Sequence, residues 1–343
     1  MVRWLLEPEN PAVRFLMLRD VLRLPSESTD VAEARRAVSS YRPVREILDA
    51  QYPAGYWVKP GPGYSPKYRS TVWQVIFLAQ MGMTEGGAQV RNACEYVLTH
   101  AQSASGGFGA SGVRDSSCPP PERVLHCLNG NLVRALLRLD HEDDPRVHTA
   151  LHWQADAATG LGDIRYYSQG TSGPFFACGV NGGLPCAWGA IKALSGFARL
   201  PAHQWTPRVE HAVQAGIDLL LSCDPVSADY PSGTGRRSPL WLRLGFPSTY
   251  AADVLQIAEV LAELGYGQDS RLDHVFDWLL EQRDVQGRWP NRNACRNRLW
   301  SNIDRQGAPS KWVSMRAMRA LVLAGRLAVP KNTEDVGSDQ QRT

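Results

Sequence analysis

Gln51-Tyr52-Pro53-Ala54-Gly55-Tyr56-Trp57 recurs as Gln102-Ser103-Ala104-Ser105-Gly106-Gly107-Phe108. One residue longer, it recurs as Gln282-Arg283-Asp284-Val285-Gln286-Gly287-Arg288-Trp289. A weaker copy spans Gln154 to Ile164, with Gly160 and Gly162 in its loop. The chemistry of the unit is local. Gln can bond an exposed helix end, Gly turns the chain, and the ring folds back onto the helix it leaves. The three clear copies stand at the ends of amphipathic segments, which are 44–50, 89–100, 145–156, 207–222 and 271–283 along the chain.

Between those segments runs a more apolar series: 13–24, 72–83, 128–139, 187–200, 250–264 and 312–327. Each carries apolar residues at i, i+3, i+4 and i+7, often on more than one face, the pattern of a buried helix. Helix starts are written as Asn10-Pro11, Asp144-Pro145, Thr206-Pro207 and Asp269-Ser270, a polar cap followed by a residue tolerated in the first turn. Almost nothing reads as a strand. The expectation is an all-α ring, with about six inner helices and five to six outer ones. It forms one domain over residues 1–330, and a polar tail follows at 331–343.

On its repeated Gln-x3-Gly-x-Trp turns, the chain resembles the terpene cyclase and protein prenyltransferase superfamily, squalene–hopene cyclases included. The resemblance covers about residues 10–327. It implies a single-domain α/α toroid, an apolar and isoprenoid substrate, and class II cyclisation started by a protonating acid and steered by ring faces.

Composition narrows the classes. The 343 residues carry 37 Lys plus Arg against 34 Asp plus Glu, too balanced for nucleic-acid binding by bulk charge. No stretch approaches the roughly 18 apolar residues of a membrane span, which leaves peripheral membrane contact open. The apolar run at the N-terminus is too short for a signal-peptide core. The expected location is the cytoplasm, where the seven cysteines are thiols or metal ligands.

In such a ring the loops entering the inner helices surround one mouth. The candidates there are Trp73, Asn129, Asn131, Trp188, Tyr250 and Trp312 for substrate, above apolar helices that suggest a greasy floor. The Asp-rich acid motif of squalene–hopene-type cyclases is absent; the matching entry reads Cys127-Leu128-Asn129-Gly130-Asn131. Asp253, read as one turn into an inner helix, and Asp115, in the long loop before Cys127, are the candidate acids, with a cap or a helix-packing hydrogen bond as the alternative for each. Asp140-His141-Glu142-Asp143-Asp144 reads as an outer-helix cap. Cys127, Cys178 and Cys186 converge if the glycines between the last two let the loop bend. They are then a zinc site, with Cys118, Cys223, His126 or water as fourth ligand, or buried thiols. Two basic stretches, at 236–243 and 288–311, are anion receivers or solvated loops. Three functions follow as alternatives: a proton-initiated cyclase, a zinc–thiolate enzyme of other chemistry, and a toroid that only binds a lipid or a partner.

Overall fold

The computed structural model describes residues 1–84, 87–112, 118–167 and 172–330. Asp115 and the tail 331–343 lie outside the described residues. The helices are α1 (Val2–Leu5), α2 (Pro11–Leu16), α3 (Thr29–Val38), α4 (Arg42–Asp49), α5 (Thr71–Gln80), α6 (Ala88–His100) and α7 (His126–Arg138). They continue as α8 (Pro145–Thr159), α9 (Ala187–Phe197), α10 (Pro207–Leu220), α11 (Val254–Glu263), α12 (Asp273–Glu281) and α13 (Lys311–Leu323). Extended pairing among the described residues is limited to isolated bridges. The protein is an all-helical α/α toroid.

The inner ring runs α2, α5, α7, α9, α11, α13 and back to α2. Along it α5 packs on α7, α7 on α9, α9 on α11, and α11 on α13, which returns to α2. Outer helices α6, α8, α10 and α12 back this ring. Because each inner helix is followed by an outer one, the inner helices all point the same way. The caps read from sequence form: Asn10 Oδ1 accepts from Val13 N at 3.0 Å, Asp144 Oδ1 from Arg146 N at 2.8 Å, and Asp269 Oδ1 from Arg271 N at 3.0 Å. Two details differ from expectation. The first inner segment changes to a π turn at Met17–Val21, and an additional amphipathic helix, α3, precedes α4.

The repeated turn does what its residues suggest. Gln51 Nε2 donates to Gly55 O at 3.3 Å and reaches Gln89 O of the next outer helix at 3.0 Å. Gln102 Nε2 likewise bonds Gly106 O at 2.8 Å and Arg146 O at 2.7 Å. Trp57 Nε1 donates back to Ile47 O, and Trp289 Nε1 to Leu279 O, each at 2.7 Å. In the weaker copy, Gln154 turns instead toward His126 and Asn129.

The tightest inner contact is between α7 and α9. A Cβ built on Gly130 lies 2.2 Å from the carbonyl oxygen of Lys192 and 2.3 Å from its carbon. Backbone cannot yield as a side-chain end can, so this glycine sets the helix spacing. Gly130→Ala is expected to cost about 1–3 kcal/mol by overpacking. Gly196→Ala, where the nearest atom is a valine methyl at 3.2 Å, serves as the milder control. Urea unfolding of both variants checks this, and equal midpoints would contradict it.

Candidate functional site

Each inner helix shows one stripe to the ring interior. On α7 it is Cys127, Asn131, Arg134 and Arg138; on α9, Trp188, Lys192 and Ser195. Both follow the i, i+4, i+7 spacing of one helix face. At the N-terminal ends of the helices the stripes carry rings and thiols. Further along they carry amides, one lysine and then arginines and carboxylates.

The rings form a cage. Trp73 lies 5.2 Å from Tyr64 and 5.1 Å from Tyr68, and Tyr250 stands 6.4 Å from Tyr68, 6.5 Å from Trp73 and 6.2 Å from Trp188. Lys67 Nζ sits 4.1 Å above the Tyr250 ring, so the cage already holds a cation against a ring face. Trp73, Trp188 and Tyr250 thus meet as the sequence suggested, joined by Tyr64 and Tyr68, which it did not single out. Trp312 belongs elsewhere. It is buried and stacked on Phe246 at 4.1 Å, in the core.

The cysteines follow from a short antiparallel bridge. Ala177 pairs with Pro185, Cys178 N donates to Leu184 O at 3.1 Å, and Cys186 N donates to Phe176 O at 2.9 Å. Residues 178 and 186 are therefore diagonal neighbours on one face of the ribbon. Their thiols hydrogen-bond to each other. The hydrogen bond from Cys186, helped by backbone N–H groups at Asn181 and Val180, outweighs burial and brings Cys178 down to about 6. The remaining proton is held on Cys186, whose pKa is raised by that same bond and by burial. Cys186 Sγ also caps α9, accepting from Gly189 N at 3.4 Å. Cys127 is close enough to feel the Cys178 charge, and burial pushes it up to about 12.

Among the described residues, no three His, Cys, Asp or Glu side chains are grouped to hold a metal ion. At the mouth, two sulfurs, those of Cys178 and Cys186, are brought together. The fourth-ligand candidates are otherwise engaged. His126 is buried, with Nε2 2.9 Å from Gly173 O and Nδ1 3.0 Å from Gln154 Nε2. Cys118 Sγ donates to Thr99 O at 3.5 Å, and Cys223 lies beside Tyr230.

Two further expectations are corrected. Asp253 is the N-cap of α11 and does not sit one turn inside it. Its Oδ1 accepts from Gln256 N at 3.0 Å and its Oδ2 from Gly245 N at 3.1 Å, so both oxygens are committed to backbone. Asn129 points outward. It accepts from Phe108 N at 3.0 Å and donates to Ala150 O and Gln154 Oε1, each at 3.0 Å. Asn131 does face the channel and donates to Thr249 O at 3.1 Å.

Among the described residues the floor is polar and charged rather than greasy. The segment 245–253 crosses the ring interior, ties to three inner helices and leads into a fourth, α11. Ser248 exchanges hydrogen bonds with Gln80 (2.9 and 2.8 Å), Thr249 O takes the one from Asn131, Gly245 O accepts from Arg316 at 2.8 Å, and Gly245 N binds Asp253. Beside it lies a cavity of about 90 Å³, lined by Asp20, Arg134, Arg138, Lys192, Glu259, Glu263, Arg316 and Arg319 among others. That is far below the ~300–1,000 Å³ of a typical small-molecule pocket. A groove of about 540 Å³, lined by Tyr52, Val58, Pro66, Arg69 and Trp300, adjoins the segment that carries Tyr64 and Tyr68. Lys192 is the residue that sequence reasoning missed. It is 2% exposed, bonded to Gln256 Oε1, and burial lowers its ammonium to about 7 against the pull of Asp253. A lysine inside the apolar run Ala187-Trp188-Gly189-Ala190-Ile191-Lys192 was the signal. Of the basic stretches, Arg237 Nη1 bonds Val226 O at 2.8 Å and Arg298 stacks over Tyr68 at 5.5 Å.

No family model matches the chain. No curated protein matches it either. Among solved structures it is similar to a protein from Actinoplanes, with 14% identity and TM-score 0.35 over 84% of this chain and 99% of that one. It is similar to a glycosidase, with 14% identity and TM-score 0.35 over 88% of this chain and 99% of that one. It is also similar to the type II terpene cyclase MstE from Scytonema, with 14% identity and TM-score 0.29 over 85% of this chain and 98% of that one. No helix among the described residues is long and apolar enough to cross a membrane.

Lys192 gives the site a measurable pH signature. Its ammonium titrates near 7 in the folded chain and near 10.5 in the unfolded one. Between those values the unfolded state binds more protons, so stability rises with pH. The rise is on the order of 1 kcal/mol per pH unit. Urea unfolding between pH 7 and 9 is expected to give a slope that is lower in Lys192→Met than in the wild type by about 1 kcal/mol per pH unit. Parallel slopes would contradict the assignment.

Proposed function

We propose that the protein is a thiol-dependent enzyme whose reactive centre is the Cys178–Cys186 pair, working on a small apolar molecule held against the ring cage. The observation that carries this reading is the placement of Cys178 and Cys186 as diagonal neighbours on one face of the 177–185 bridge, where Cys186 holds the Cys178 thiol low. It leaves a thiolate on the pair near neutral pH, and thiolate is the nucleophilic form of cysteine. Tyr64, Tyr68, Trp73, Trp188 and Tyr250 offer ring faces to an apolar or electron-poor substrate, for which isoprenoids are the class that the toroid resemblance implies. Cys186, at the start of α9, keeps its proton while the Cys178 thiolate forms a carbon–sulfur bond to the substrate, and its thiol stabilises that thiolate again when the bond breaks. Cys127 stays neutral and completes the wall.

Proton-initiated cyclisation is less well supported, because Asp253 spends both oxygens on backbone caps. An acid so engaged is poorly placed to protonate an alkene.

Two linked measurements test the proposal. Iodoacetamide labelling followed by peptide mass spectrometry is expected to reach its plateau at Cys178 by about pH 7, since a thiol held near 6 is mostly ionised there. In Cys186→Ser the profile shifts upward by about one unit or more. Citral, an isoprenoid enal, is expected to add to Cys178 at least about ten-fold faster than to glutathione, through concentration of the apolar chain in the cage. Labelling that tracks an ordinary thiol, or citral spread evenly over the seven cysteines, would sink the proposal.

A further inference from the structure

The far half of the channel carries more positive charge than its own ion pairs neutralise. Glu259 is paired with Arg316. Glu263 is shared between Arg134 at 2.9 Å and Arg319 at 3.1 Å. Asp20 is held by Arg19 through two bonds, at 2.6 and 2.9 Å. These pairings are strong: burial opposes the charge on Glu263 and Asp20, and the surrounding arginines still hold both carboxyls at about 2. Arg138, one turn below Arg134 on α7, has no carboxylate within ion-pair distance among the described residues. Its Nε is buried with no hydrogen-bond partner, as is the Nε of Arg319.

In this lower tier five guanidinium groups, Arg19, Arg134, Arg138, Arg199 and Arg319, feel two carboxylates, Asp20 and Glu263, an excess of three positive charges. Burial and the neighbouring Arg134 both disfavour the charged form of Arg138. A guanidinium does not give up its proton to relieve this. Arg199 is exposed and lies near enough to this tier to feel its charges. The cavity of about 90 Å³ has room for two or three waters at roughly 30 Å³ each, the size of one compact oxyanion.

We infer that this tier is an anion site, in which a compact oxyanion of phosphate or carboxylate type is gripped by Arg138, Arg134 and Arg319 at the end of the channel opposite the thiol mouth. Guanidinium forks match the oxygens of such anions, and all three arginines line the cavity. The site is separate from the thiol chemistry, because the segment 245–253 crosses the ring between the cage and this tier. The negative ends of the inner helices also lie on this side. They are the rival source of neutralisation, and the experiment separates the two.

The probe is inorganic phosphate, titrated into the full chain by calorimetry and by thermal unfolding, with chloride adjusted to hold ionic strength and pH constant. The expected result is saturable binding of one phosphate per chain and a Tm that climbs with its occupancy. Arg138→Met is expected to fold, since it removes an uncompensated buried charge and supplies a side chain of similar length. Its Tm in chloride should equal or exceed the wild type, and its phosphate affinity should fall at least about ten-fold. Phenyl phosphate is the second arm. If it binds as phosphate does, the site takes the head group of a larger molecule; if only phosphate binds, it takes the free ion. A wild-type Tm indifferent to phosphate, or an Arg138→Met variant that binds phosphate undiminished, would overturn the assignment.

Discussion

A buried backbone N–H at each ring-bearing turn has to find an acceptor, and the geometry of the toroid depends on where it finds one. Trp57 N donates to Thr71 Oγ1 at 3.1 Å, Phe108 N to Asn129 Oδ1 at 3.0 Å, and Trp289 N to Ser314 Oγ at 2.9 Å. In all three the acceptor lies within the first turn or so of the inner helix that follows. Leaving such a group unsatisfied costs about 1–3 kcal/mol. The bond therefore fixes the rotation of the inner helix relative to the turn. Once that rotation is set, a single stripe of each helix faces the interior, and the opposite face packs on the outer ring.

That constraint explains the distribution of chemistry. With the stripe fixed, residues at i, i+4 and i+7 stack from mouth to far end. The thiol of Cys127 stands above Asn131, Arg134 and Arg138, and Trp188 above Lys192 and Ser195. Close packing of α7 on α9 at Gly130 brings two such stripes together and buries Lys192 beside Gln256. The segment 245–253 then divides the interior. Rings and the cysteine pair lie on one side and ion pairs on the other, so the channel is neither a continuous tunnel nor a single apolar cavity.

Much of this was legible in the sequence, and the limits are physical. The repeated turns announced the fold because each residue in them has a local job that does not depend on distant contacts. The convergence of Trp73, Trp188 and Tyr250 followed from their shared place at helix entries. Asn129 was misread because one helix position decides between facing the channel and facing the outer ring, and Asn131 lies two residues away on the other side. Asp253 looks the same in sequence as a cap or as an acid; only Gly245 N, eight residues earlier, reveals where its second oxygen goes. The charged floor was hidden by averaging. Lys192, Arg134, Glu259 and Arg316 sit in helices apolar on most other positions, and an overall hydrophobic impression conceals a polar stripe.

Taken together, the ring presents a hydrogen-bonded dithiol at an aromatic mouth, held in place by a bridge between residues 177 and 185. The most direct measurement is a map of cysteine pairing after brief treatment with diamide, a thiol oxidant, read by non-reducing peptide mass spectrometry. Because Cys178 and Cys186 are in contact, the expected product is a single 178–186 disulfide, with Cys94 and Cys295 still reduced in the core. Scattered or intermolecular pairing with Cys178 and Cys186 left unjoined would contradict a mouth built around that pair.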